Sequence, residues 1–184
     1  SPELGDQLLS WMKHQNHYVG ILTNRPNATP PDFISAPEAE LGARLAGLEG
    51  APLMGSGMLN WYAETQCGLP QHTFLKPNPV HCLSLLQICM GESDTNALKK
   101  SLKLWQGESQ RNEWDRFKGD EVLIFEDSVK GLQSGLAAKA LLETLGIEIQ
   151  LTLIGVADNS IKKKALLEIA ERVIPSINHH QWSL

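Results

Sequence analysis

The sequence predicts an α/β domain in which a mostly parallel sheet lies between helical layers, a Rossmann-like three-layer α/β/α sandwich. Three observations lead there. Segments with helical spacing of apolar residues alternate with short strand-like runs along the chain. The clearest runs, 121–125 and 149–156, are mostly apolar, as suits strands covered on both faces. Polar residues gather just after several runs, and open parallel sheets bind ligands at the carboxyl ends of their strands.

Taken in order, residues 3–15 set Leu4, Leu8, Trp11 and Met12 on one helical face. Residues 17–23 read as a buried strand that stops at Asn24-Arg25-Pro26, where proline ends regular structure. A Pro- and Asn-rich loop over 26–35 precedes a helix over 37–49 that Gly50 ends. Residues 51–72 interleave Gly, Pro, Trp and Tyr and take no single assignment. Phe74 and Leu75 form a short apolar step, read as a strand end that carries Lys76. Pro79 then suits the first turn of a helix running to about Met90. Within the polar stretch 91–119, Leu98, Leu102 and Trp105 keep a helical stripe. The strand 121–125 ends on Glu126 and Asp127, and Ser128 caps a helix that reaches Leu145 and stops at Gly146. A strand over 149–156, an amphipathic helix over 160–172 and a short strand at 173–175 complete the pattern.

The 184 residues, 42% hydrophobic and 20% charged, suit one compact domain. A net charge of −5 with dispersed basic residues gives no nucleic-acid surface, and the run Lys162-Lys163-Lys164 reads as a solvated helix face. Cys67, Cys82 and Cys89 form no CxxC pair, and their odd number argues against a disulfide framework. Cys82 and Cys89 sit in an apolar helical stretch and are expected to pack as small hydrophobes, in a reducing, cytoplasmic compartment. No apolar run approaches the roughly 18 residues of a membrane span, and no signal-peptide pattern is read.

Three expected strand ends carry chemistry: Thr23 and Asn24, then Lys76, then Glu126 and Asp127. A hydroxyl with neighbouring backbone N–H groups can hold phosphoryl oxygens, and an ammonium can neutralise them. A carboxylate pair can hold Mg2+, a hard cation that prefers oxygen. Each residue also has an ordinary structural role: threonine is a β-former, a lysine before proline is commonly solvated, and acids favour a helix start. His179 and His180 are neighbours near the chain end and do not read as a metal pair.

In combination these motifs resemble the haloacid dehalogenase (HAD) superfamily, in its β-phosphoglucomutase-like and phosphoglycolate-phosphatase-like branch. Thr23 after an apolar strand resembles the second motif, Lys76-Pro77-Asn78-Pro79 the third, and Glu126-Asp127-Ser128 with Gly131 and Gly135 the fourth. The likeness runs over nearly the whole chain in the family's order. It implies a HAD-like core and a Mg2+-dependent phosphohydrolase acting on a small phosphorylated metabolite through an aspartyl-phosphate intermediate. Thr23, with Asn24 beside it, would bind the transferring phosphoryl group, and Lys76 would bridge the phosphate and the nucleophile. Asp127 would be a Mg2+ ligand, Glu126 a second ligand or one acting through water, and Ser128 a support for the loop.

The family's first motif, Asp-x-Asp at the end of the first strand, is not found at Asp6, Asp32, Asp94, Asp115, Asp120 or Asp158. The resemblance places that strand centrally, between those ending at Thr23 and Glu126. Without it two inner edges would lie unpaired, which is costly. The chain is therefore expected to be a fragment, inactive as it stands, with the nucleophile strand and any cap upstream of Ser1. The 53 positions from Thr23 to Lys76 and the 50 from Lys76 to Glu126 are longer than a compact member needs, so insertions are expected in 28–70 and 91–119. Three alternatives stay open: a phosphomutase, a non-catalytic domain of the same fold that binds a partner or metabolite, and a receiver-like domain, which the late position of the Glu-Asp-Ser block disfavours.

Overall fold

The computed structural model describes residues 6–13 and 17–182. The described residues form a mixed α/β fold with two parallel sheets. Helix α1 spans Asp6–Met12, and the remainder of the helix expected over 3–15, Leu4 included, lies outside the described residues. Strand β1 is only Ile21–Leu22 and pairs in parallel with β2, Leu53–Met54. The run 17–23 is thus paired over a shorter length than expected. Helix α2, Glu38–Leu45, lies between these strands, and α3, Ser56–Trp61, follows β2 and continues into a π-helical turn over Tyr62–Gln66. The stretch 51–72, without an assignment from sequence, therefore supplies a strand of the same sheet as β1.

The strand end expected at Phe74–Leu75 is not a strand. Leu75 N–H donates to His72 O and Asn78 N–H to Leu75 O, so Lys76 sits on a run of tight turns. The cause is packing: Phe74 is fully buried, its ring 6.3 Å from Tyr62 and 5.9 Å from Trp105, an arrangement an extended backbone would not need. The Asn78 side chain accepts from Val80 N–H and caps α4, Pro79–Cys89. Helix α5, Asp94–Trp105, begins at Ser93, whose hydroxyl accepts from Asn96 N–H.

The second sheet has the order β3-β4-β5, all parallel, with β3 at Glu121–Glu126, β4 at Gln150–Val156 and β5 at Arg172–Ile174. Helix α6, Val129–Thr144, joins β3 to β4 and ends as Gly146 takes a φ of +71°. Helix α7, Ser160–Leu166, joins β4 to β5 and stops short of the expected 172. Three apolar clusters hold these parts together. Met54, Leu59, Phe74, Val80 and Leu98 pack around β2, α3 and α4. Leu83, Trp114, Phe117, Leu142 and Ile147 pack between α4 and α6, and Leu132, Leu153 and Leu166 lie between α6, β4 and α7. The second cluster draws Trp114 and Phe117 from the stretch 91–119, so that stretch is part of the core. Cys82 is buried and free, as expected, and burial pushes its thiol up to about 12. No helix among the described residues is long and apolar enough to cross a membrane.

Among the described residues the two sheets do not pair with each other. The free edge of β1 faces the free edge of β3 across a groove of about 900 Å3. Val122, Leu123, Ile124 and Phe125, the most apolar strand segment of the chain, are consequently only half-buried.

Candidate functional site

An open cavity of about 480 Å3 lies where the carboxyl ends of β1, β3 and β4 converge. Thr23, Asn24, Lys76, Glu126, Asp127 and Ser128 all line it, so the structure brings every one of the expected site residues together. Leu22, Phe125, Val156 and Ile177 form its apolar wall.

Thr23 follows β1, and its backbone N–H donates to Met54 O, which fixes the residue at the sheet edge. Its Oγ1 accepts from Arg25 N–H at 3.1 Å, and the hydroxyl proton stays available to an acceptor in the cavity. Lys76 crosses the mouth of the groove. Its Nζ donates to Leu22 O at 3.1 Å on one side and to Glu126 Oε2 at 2.5 Å on the other. The turn that carries it is tied to α6, since Ser134 Oγ donates to Asn78 O at 2.9 Å.

Glu126 and Asp127, although adjacent, face different surroundings. Glu126 ends β3 with its side chain turned toward α6. Its Oε1 accepts from Ser128 N–H at 3.2 Å and from Ser128 Oγ at 2.7 Å, and its Oε2 holds Lys76. The Lys76 and Glu126 side chains are only 6% and 8% exposed. Gly131 makes room for this carboxylate, because a Cβ there would lie 2.1 Å from Glu126 Cδ. Ser128 also accepts from Gly131 N–H at 3.1 Å and so caps α6, as expected. The serine thereby joins helix start and carboxylate in one network.

Asp127 turns outward and its side chain is 67% exposed. Its Oδ2 accepts from Lys162 Nζ at 2.6 Å. The Lys162 hydrogen bond and charge, with smaller contributions from Glu126 and Lys76, hold its carboxyl below the usual range. Lys162 is the residue that sequence reading missed. Lys163 and Lys164 are exposed as expected of a solvated face, but Lys162 lies in the first turn of α7, where Asn159 Oδ1 accepts its N–H. The signal was present in the Asn159-Ser160 cap directly after β4, which places that first turn above the same sheet edge.

Among the described residues no group of three or more His, Cys, Asp or Glu side chains is placed to hold a metal ion. Two carboxylates do meet here. Glu126 has its lone pairs engaged by Ser128 and Lys76, and Asp127 is the accessible one. That donor set suits Mg2+, which commonly keeps several waters and takes one or two carboxylates plus substrate oxygens. His179 and His180 are not part of the cavity lining, and His180 packs on Phe125 with ring centroids 5.0 Å apart. No family model matches the chain, and neither a curated protein nor a solved structure matches it.

Proposed function

We propose that this chain forms most of a HAD-like core and serves a cytoplasmic, Mg2+-dependent phosphohydrolase acting on a small phosphomonoester. The carrying observation is the convergence of Thr23, Asn24, Lys76, Glu126, Asp127 and Ser128 on one cavity at the carboxyl ends of parallel strands. The reaction is attack of an aspartate on phosphorus, release of the alcohol, and hydrolysis of the acyl phosphate by water. The nucleophile comes from a segment outside residues 1–184. Thr23 donates its hydroxyl proton to a phosphoryl oxygen, and Asn24 flanks it. Lys76 neutralises charge that builds on the phosphoryl group. Glu126 holds Lys76 in place, and Ser128 holds Glu126. Asp127 is the residue that would hold Mg2+, whose role is to neutralise phosphate charge as a Lewis acid. Positioning and charge stabilisation of this kind dominate phosphoryl transfer.

The test is Asp127→Ala in the complete protein, assayed for Mg2+-dependent hydrolysis of p-nitrophenyl phosphate. Turnover is expected to vanish, and retained turnover removes the ligand assignment. A phosphomutase would show itself by an isomeric phosphate product in place of inorganic phosphate. One observation favours a non-catalytic binding domain instead: both carboxylates already hold lysines, Lys76 and Lys162, within the chain. A complete protein lacking an Asp-x-Asp strand and all turnover, yet binding a phosphorylated metabolite, would establish that reading.

A further inference from the structure

Helix α3 begins without a cap of its own. Its N-cap position is Gly55, which offers no side chain, and the acceptor comes from far upstream. Asn27 Oδ1 accepts from Met58 N–H at 3.0 Å across 31 positions of the chain, as an N-cap side chain would from the third helical residue. Arg25 O likewise accepts from Ser56 N–H at 3.0 Å. Asn27 is only 3% exposed, and the turn Gly55-Ser56-Gly57 closes on it with no room for side chains at the glycines. A Cβ on Gly55 would lie 2.7 Å from Asn27 Oδ1, and one on Gly57 2.1 Å from Asn27 O. Helix α2 holds the segment as well: Pro26 O accepts from Ala39 N–H, and Ala28 N–H donates to Glu40 Oε1 at 2.8 Å.

These contacts lead to Thr23. Arg25 N–H donates to Thr23 Oγ1 and so orients the hydroxyl, while Ser56 pins the Arg25 carbonyl. The far end of α3 reaches the turn that carries Lys76, because Asn60 Oδ1 accepts from His72 N–H at 2.8 Å and Tyr62 packs on Phe74. Thr23 and Lys76 are thus registered by the two ends of one helical segment. We infer that Asn27 is a positioning residue for the phosphoryl-binding segment Thr23-Asn24, acting through the first turn of α3 and Arg25. It touches no substrate and sets where the Thr23 hydroxyl points. The inference rests on the phosphoryl-binding role proposed above for Thr23. A purely structural asparagine would change how much protein is folded, whereas a positioning one changes turnover through Thr23 alone.

The experiment is a double-mutant cycle in the complete protein. It follows kcat/KM for Mg2+-dependent hydrolysis of p-nitrophenyl phosphate, well below the melting point of every variant. Asn27→Ala is expected to lower kcat/KM by at least about tenfold, since a misplacement of about 1 Å can cost about 100-fold. In a Thr23→Ala background the same change should lower it by less than about twofold. Asn27→Asp keeps an acceptor at the helix start and should recover to within about threefold of the native value. Gly57→Ala presses on Asn27 O from the other side and should reproduce the defect of Asn27→Ala, while Gly42→Ala, with nothing within 4 Å of its Cβ, should not. Equal losses in both backgrounds, no recovery with aspartate, or unchanged turnover in Asn27→Ala each overturns the inference. Amide exchange and NMR shifts read the same linkage in the chain itself, without turnover. Asn27→Ala should speed exchange at Met58 by more than about tenfold and move the Thr23 and Arg25 amide resonances, and unmoved resonances overturn the inference. If the resonances move but the native complete protein hydrolyses no phosphomonoester, the positioning of Thr23 by Asn27 stands and the phosphohydrolase reading fails.

Discussion

Lys76 and Glu126 form the most sheltered ion pair of the site, and a double-mutant cycle on them tests the reasoning most directly. At 2.5 Å their attraction is about 7 kcal/mol at an effective dielectric constant of about 20. Desolvating two ions costs several kcal/mol each, so the intact pair is near neutral for stability. Removing one partner is different. Lys76→Met leaves the Glu126 carboxylate buried with only Ser128 as donor, and Glu126→Leu leaves an ammonium with only Leu22 O. Each single change is expected to cost about 3–5 kcal/mol, whereas the double change should cost well under their sum. The assay is urea unfolding followed by tryptophan fluorescence. In melting temperature, each single variant should fall by roughly 6–20 °C for a domain of this size. Losses below about 1 kcal/mol for each single variant, or strict additivity, would refute the picture of a desolvated pair bridging the two sheets.

Three further perturbations have defined signs. Burial pushes the His81 imidazole down to about 3, with its Nδ1 unpartnered and its Nε2 on Met54 O, so the unfolded chain takes up the proton first. Stability should hold above pH about 6.5 and fall progressively from there toward pH 3, and urea unfolding of His81→Leu should lose that part of the slope. Gly131→Ala should destabilise by about 1–3 kcal/mol, because its Cβ meets the carboxyl carbon of Glu126. Gly135→Ala meets the flexible tip of Ile124 and gains about 1 kcal/mol of helix propensity, so it should be milder, and the reverse order in thermal melts would overturn the account. Lys162→Met should let the Asp127 carboxyl rise toward its usual range, as NMR titration would register. It should also tighten Mg2+ binding by about 2- to 5-fold in calorimetry, the worth of a screened pair, while unchanged or weaker binding removes Lys162 as the internal competitor.

The strong periodic segments were legible from sequence: β3, α6, β4 and α4 lie where their apolar runs, the Ser128 cap and Pro79 place them. Each depends on local chemistry. Lys76 lines the cavity but sits on a turn and not at a strand end, because the burial of Phe74 between Tyr62 and Trp105 is a long-range effect that two apolar residues do not announce. The same holds for β2, two residues long, which exists only because β1 pairs with it. Lys162 was hidden by its neighbours: three consecutive lysines point in three directions on a helix, and only one of them meets Asp127.

Composition cannot divide the work between adjacent carboxylates, but strand geometry can. Successive side chains of an extended segment point to opposite sides, so at the end of β3 one carboxylate turns in and the next turns out. The inward one, Glu126, needs donors because water is excluded, and the nearby Ser128 and Lys76 meet that need. The outward one, Asp127, keeps water-facing lone pairs beside the one that holds Lys162. A Gln at 126 would therefore disturb the position of Lys76 and the joint between the sheets. An Asn at 127 would leave the fold unchanged and, if Asp127 holds Mg2+ as proposed, weaken Mg2+ binding. Those two phenotypes, one in urea unfolding and one in Mg2+ binding, would separate a structural acid from the proposed ligand acid in a pair that the sequence presents as equivalent.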